Sequence, residues 1–375
     1  MIKYFISIFS LIISWIFLQN DHKKLIPRSK KNKRKKNCYQ LRDEFIKSKI
    51  CFGKITKKTA DDYYYIITLI LDLFGHPDLN EMDRENAEII RNALRQYPKN
   101  KSKYKEFNSL VGFDVIYKNI ELKKETLSPR SIRKIINAFS GFSEWCVSHE
   151  HINKNYFYKL QTLPPRHDDV RYEFSDEQLS LIFKMEQYIK EEFKHPYYYW
   201  LPLLLRFTGA RLNELCQLLK GDIVLKDGIY CIEIREQLQE QSVKNKSSTR
   251  TVPLHKAIIE RGFINFVEQC NSDRVFPELP LVRGYYSHNA SKWFSRRREK
   301  LGLSKGLDAH SFRHSFVNEL KQKGIKIEII KCIVGHSNNC ITLDIYGKQY
   351  PPKTLIKVIN NISDSHVKHI KPYNI

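Results

Sequence analysis

Eight cysteines are present, and no two of them stand in a CxxC pair. In a chain of 375 residues they read as free thiols of a reducing compartment, not as a disulfide framework. Cys332, His336 and Cys340 recur at four-residue intervals. A tetrahedral zinc site needs a fourth ligand and usually a CxxC-like pair, so no metal is expected there. Internal repeats and low-complexity tracts are absent. Acidic residues are in deficit, 41 against 64 basic ones, for a formal net charge of +23. The surplus runs through the whole chain, which favours a polyanionic partner, nucleic acid ahead of an anionic membrane surface. Long apolar runs are scarce. Only residues 4–18 are almost wholly apolar, short of the roughly twenty residues of a membrane-spanning helix. No small-residue cleavage site follows them; instead comes a basic run from Lys23 to Lys36. By the positive-inside rule that run keeps the body of the protein in the cytoplasm even if the leader were anchored. Residues 1–37 therefore read as an apolar and basic extension, a buried or unstructured leader or an upstream start, rather than as an anchor.

What is present suits two globular domains. Apolar residues make up 42% and aromatics 12% of the chain, a composition that excludes wholesale disorder. Residues 38–163 carry helical periodicity at 39–49, 58–74 and 81–95, the last capped by Asn80. Ser128 caps a further helix with Pro129 in its first turn, and Ile132, Ile135, Ile136, Phe139, Phe142 and Trp145 form its core face. Residues 164–172, with two adjacent prolines, read as a linker. The second domain spans 173–352. Ser175 caps its first helix, an apolar helix fills 198–207, and Thr208-Gly209-Ala210 turns the chain before a helix that starts at Arg211. Strands at 229–234 and 249–254 form a β-hairpin with a long, polar, basic arm at 236–248. A basic helix covers 283–301. Another begins at Asp308 or His310 and runs to Lys323. A short helix at 327–334 stops at Gly335, and a last one covers 354–362. The fold class is mainly α with a small β-sheet or hairpin.

Cutting a DNA phosphodiester without a metal sets clear demands. Tyrosine is a suitable nucleophile because its ester conserves the bond energy. Its hydroxyl, with a pKa near 10, needs help to lose its proton. Guanidiniums, always charged and able to bind two oxygens, suit the charge that spreads over the non-bridging oxygens. Lysine suits the leaving oxygen, because its pKa falls when it is desolvated beside other cations. This chain offers Arg211 after a tight turn, and Glu214 one helical turn on to steady it. It also offers His310 and Arg313 three apart, His336 after Gly335, and Tyr346 ten residues later. Each piece alone is common; their order beside a basic hairpin is specific.

The order is that of Phe207-Thr-Gly-Ala-Arg211-Leu-Asn-Glu214, Lys244-Asn-Lys-Ser-Ser-Thr-Arg250-Thr-Val-Pro-Leu254, His310-Ser-Phe-Arg313-His314, Gly335-His336-Ser337 and Ile345-Tyr346-Gly347. The chain resembles a tyrosine recombinase of the phage-integrase family, strongly over 173–350 and more weakly over 38–163, which is similar to that family's core-binding domain. The resemblance implies a helical core-binding domain plus a mixed α/β catalytic domain, closing as a clamp on double-stranded DNA. It implies catalytic roles for Arg211, Lys244, His310, Arg313, His336 and Tyr346, with Glu214 and His314 beside them. Lys244 is preferred over Lys246 for its position relative to Arg250-Thr-Val-Pro. The resemblance further implies a 3′-phosphotyrosine at Tyr346, no metal or other cofactor, and a homotetramer on two duplexes. Accessory DNA-binding proteins fit the same scheme, as do a cytoplasmic, nucleoid-associated location and an intersubunit role for residues 353–375. The rival readings are a non-catalytic DNA-binding protein of the same fold, a transposase, or a type IB topoisomerase-like enzyme.

Overall fold

The computed structural model describes residues 36–53, 55–164, 172–238, 240–243, 245–337 and 350–374. The chain divides into two compact units, Met1–Arg166 and His167–Ile375. The stretch expected as a linker lies, except at its ends, outside the described residues, as do residues 4–18.

The first unit holds α1 (Cys38–Cys51), α2 (Lys57–Phe74), α3 (Arg84–Ala93), α4 (Phe113–Leu122) and α5 (Pro129–Ser148). Helix starts follow local capping chemistry. Asn37 accepts the Tyr39 N–H at 2.9 Å while Gln40 accepts the Asn37 N–H at 3.0 Å, which closes a capping box on α1. Ser128 accepts the Ser131 N–H at 3.3 Å, with Pro129 in the first turn of α5. The cap expected at Asn80 is not used. Asp83 and Asn86 cap reciprocally, at 2.7 and 3.1 Å, so α3 starts at Arg84. The Asn80 amide instead reaches Asp78 and the His151 carbonyl. Helix α4 carries no expectation from the sequence. Gly112 enters it at φ +56°, where a Cβ would lie 2.5 Å from the Asp72 carbonyl oxygen. The core is aromatic at its centre: Phe139 meets Phe142 edge-on at 5.5 Å and Phe157 at 4.6 Å, all buried.

The second unit is built around α8 (Pro196–Thr208), which follows α6 (Asp176–Phe183) and α7 (Glu186–Lys190). Trp200, Leu203, Leu204 and Phe207 are fully buried, so α8 is covered on nearly every side, and its one charged residue, the buried Arg206, is paired with Glu319 at 2.5 Å. Next come α9 (Leu212–Cys216) and the strands β1 (Ile223–Lys226), β2 (Ile229–Ile234) and β3 (Arg250–Pro253). The sheet is antiparallel in the order β1-β2-β3, with Ile232 opposite both Ile223 and Val252. The expected two-stranded hairpin thus gains a third strand. Asp227 and Gly228, at φ +53° and +74°, make the tight turn that adds it. After the sheet run α10 (Lys256–Ile259), α11 (Phe263–Gln269), α12 (Ser287–Lys300), α13 (Ser311–Gln322), α14 (Ile327–Val334) and α15 (Pro352–Ile359). Helix α12 starts four residues later than the basic pattern suggests, because Arg283 and Gly284 take positive φ in a turn closed by Val282 and Tyr285. Helix α15 begins and ends earlier than 354–362.

The last residues, expected on a neighbouring copy, pack in the single chain against their own unit. Leu355, Ile359, Ile362, Val367 and Ile370 are buried in the same core as α8. The Tyr199 hydroxyl donates to the Lys371 carbonyl at 2.7 Å, and the Tyr373 N–H to the Arg261 carbonyl at 3.1 Å. Among the described residues no helix is long and apolar enough to cross a membrane.

Candidate active site

The site grows from the end of α8. Gly209 caps that helix at φ +60° and lies against the Phe316 ring, where a Cβ would come within 2.6 Å. The turn is closed by the Thr208 hydroxyl, which accepts the Ala210 N–H at 3.2 Å. Arg211 follows in extended conformation as the N-cap of α9. Its side chain, 20% exposed, donates from Nη1 to Glu214 Oε1 at 2.6 Å and to Ser248 Oγ at 3.1 Å. Its Nη2 faces the Gly335 carbonyl at 3.5 Å. Glu214 also accepts the Arg211 backbone N–H, at 2.9 Å on Oε2. The one-turn spacing thus becomes a buried ion pair.

Arg250 completes that pair from the other side. Its Nη2 donates to Glu214 Oε2 at 2.8 Å, and both side chains are nearly inaccessible. Burial alone would raise the Glu214 carboxyl; Arg250 and Arg211 reverse this and hold it below the usual carboxylate value. Sequence reasoning used Arg250 only as a landmark. Its signal was its position: Arg250 and Val252 lie on the buried face of β3, where a cation requires a partner.

Arg313 projects from the first turn of α13 and is 2% exposed. Its Nη1 donates to the Gly209 carbonyl at 2.9 Å. Its Nη2 is buried and, among the described residues, has no hydrogen-bond partner. Burial, then the nearby charges of Arg211 and Arg250, pull its pKa down to about 9. It still carries its charge at neutral pH. Arg211 and Arg250 thus pair with Glu214 while Arg313, near enough to feel both cations, has no ion-pair partner among the described residues, an unfavourable arrangement unless an anion joins them.

His310 occupies the N-cap position of α13, its N–H held by Asp308 Oδ1 at 2.7 Å. Its ring meets the His314 ring edge-on, with centroids 4.9 Å apart. His336 follows the αL residue Gly335 at the end of α14; its N–H donates to the Lys331 carbonyl at 3.0 Å, and the residue is exposed. The backbone thus gathers Gly209, Arg211, Ser248, Arg250, Arg313 and Gly335. Lys244 and Tyr346 lie outside the described residues, as does Cys340. Among the described residues no cluster of His, Cys, Asp and Glu is placed to hold a metal ion.

Comparison with known proteins bears on the same stretch. Residues 175–351 match the phage integrase family. The chain is 24% identical over 320 residues to the tyrosine recombinase XerC-like protein of Caldanaerobacter subterraneus, covering 76% of this chain and 79% of that one. Four other curated tyrosine recombinases are matched over less than half of their own length. Among solved structures, the Tn1549 transposon integrase in complex with a circular intermediate DNA superposes with a TM-score of 0.58 at 17% identity, over 86% of this chain and 98% of that one. A lambda integrase tetramer bound to a Holliday junction gives 0.57 at 16% identity, over 86% of each chain. At these identities the structural likeness speaks for the fold.

Proposed function

We propose, from the match of residues 175–351 to the phage integrase family and the likeness to curated tyrosine recombinases, that this chain is a site-specific DNA recombinase that cuts and rejoins DNA through Tyr346. The Tyr346 hydroxyl attacks the scissile phosphorus and the bond to the 5′ oxygen breaks, giving a 3′-phosphotyrosine. Arg211, Arg313 and His336 hold the non-bridging oxygens. His310 draws the proton from the phenol, and Lys244 gives one to the departing 5′ oxygen. A 5′ hydroxyl from a second strand then reverses the ester and joins new ends. Glu214 keeps Arg211 aimed, and His314 packs beside His310.

The observation that carries this reading is the buried Nη2 of Arg313, which has no hydrogen-bond partner among the described residues and lies within the electrostatic influence of Arg211. Two such groups with an unmet donor suit a phosphate that bridges them. The proposal extends to double-stranded DNA as the partner of both the 38–163 and the 173–352 domains, and to four copies on two duplexes; a lambda integrase of the same fold is a tetramer on a Holliday junction. Such a protein works in the cytoplasm on nucleoid DNA.

A suicide-substrate assay tests the proposal. Wild type and Tyr346→Phe are incubated with nicked duplexes from the flanks of the gene, and the products are run on a denaturing gel. A protein–DNA band is expected with the wild type and none with Tyr346→Phe, which loses the nucleophilic oxygen and little else. A band in both would move the nucleophile elsewhere.

A further inference from the structure

Arg250 stands at the root of the hairpin arm, where β3 begins, and none of the roles above uses it. Its guanidinium is divided among three segments. Nε donates to the Ile333 carbonyl at 2.6 Å, Nη1 to the Ser248 carbonyl at 2.7 Å, and Nη2 to Glu214 Oε2 at 2.8 Å. Each acceptor leads to a group already assigned to the phosphate. Ile333 lies in the last turn of α14, whose carbonyls lack helical donors, and His336 follows three residues on. The Ser248 hydroxyl accepts from Arg211, and the other oxygen of Glu214 holds Arg211. The fit is close: a Cβ on Gly335 would lie 2.8 Å from Arg250 Nη1, on a backbone at φ +68°.

We propose that Arg250 is a positioning residue for strand cutting, one that registers the hairpin arm, Arg211 and the Gly335-His336 turn on one another and neutralises Glu214. The inference rests on the recombinase reading. Without Arg250, the buried Glu214 carboxylate faces Arg211 as its sole ionic partner. Arg211 is then committed to an internal pair that sums to zero charge, and among the arginines of the cluster Arg313 alone keeps an uncompensated charge. With Arg250 present, two guanidiniums share the one carboxylate, so the pair's surplus positive charge stays available to a phosphate whose negative charge grows in the transition state. Stability alone does not require this device, since a buried ion pair can often be replaced by apolar groups without loss. A guanidinium shared by three catalytic segments does what an apolar replacement cannot: it fixes their mutual placement.

The test compares full-length wild type, Arg250→Met, Arg250→Lys and the double variant Arg250→Met/Glu214→Gln on the nicked duplex. DNA affinity and the rate of covalent-complex formation are read well below each melting temperature. Arg250→Met is expected to bind DNA within a few fold of wild type and to form the complex about 100-fold more slowly, the scale of a small misplacement of reacting groups. Adding Glu214→Gln is expected to restore about 10-fold of that rate, because the uncompensated carboxylate is gone and the two sites are coupled. Should Arg250→Met fail to fold, Arg250→Lys carries the test: it keeps the charge but cannot make the three-way contact, so slowed cutting at a native melting temperature supports the proposal. Wild-type rates in Arg250→Met or Arg250→Lys, or a slowed rate that Glu214→Gln does not relieve, overturn it. A wild type that forms no covalent complex sinks the recombinase reading, and this inference with it. A wild type that cuts alongside Arg250 variants that cut equally well sinks the inference alone.

Discussion

Arg313→Met is expected to slow covalent-complex formation by about three orders of magnitude, at the upper end for loss of one oxyanion donor, while leaving the melting temperature unchanged or higher. The two effects have one cause. Arg313 is buried, one of its amino groups has no partner among the described residues, and it lies near Arg211 and Arg250. In the DNA-free protein its charge is desolvated and repelled, so removing it relieves strain on the fold. Methionine fills most of the volume, so no large cavity opens. On the scissile phosphate the same guanidinium donates where negative charge develops, and methionine cannot. A melting curve and a single-turnover cleavage assay read the two signs separately. A destabilised Arg313→Met protein that still cut at the wild-type rate would mark Arg313 as a structural arginine.

Glu214→Gln is expected to have the opposite profile, with the larger effect on stability. Glu214 is almost inaccessible and accepts from Arg250 Nη2, Arg211 Nη1 and the Arg211 N–H. An amide removes the charge and turns one donor group toward a guanidinium. Breaking a buried ion pair from one side typically removes about 3–5 kcal/mol, enough to lower the melting temperature by on the order of 10 °C in a unit of this size. The sign of the pH dependence follows from the carboxyl being held below its ordinary value by Arg250 and Arg211 against the effect of burial. Such a group stabilises the folded state fully above the ordinary carboxylate pKa, and loses that contribution as pH falls through its folded value. The gap in unfolding free energy between wild type and Glu214→Gln should therefore be widest near neutrality and should narrow in acid. A gap that widened in acid would contradict the assignment of Glu214 as the ionised partner.

The legible features of this chain are the local ones. Ser128-Pro129 marks the start of α5, and Gly335 marks the end of α14, because caps are set by residues within one turn. Arg211 and Glu214 find each other because three residues separate them on a helical start. Features settled by competition or by distance were not legible. Asn80 and Asp83 both offer caps, and the reciprocal bond to Asn86 decides for Asp83. Strand β1 is four residues long, and its Asp227-Gly228 turn was the only local hint of it. The meeting of Gly209 with Arg313 and of Arg211 with Gly335 spans 104 and 124 residues. No period or cap encodes such a meeting; only the ordered motifs of a family suggest it. Arg250 lay hidden for the same reason, since its partners Glu214 and Ile333 stand 36 and 83 residues away.

The most direct measurement is the site of attachment. Wild-type protein trapped on a nicked duplex is digested with protease and nuclease, and the nucleotide-bearing peptide is sequenced by mass spectrometry. The expected peptide contains Ile345-Tyr346-Gly347, with the phosphate on the Tyr346 oxygen and joined to a 3′ nucleotide. A phosphate on any other residue, or a linkage through a 5′ end, would contradict the account.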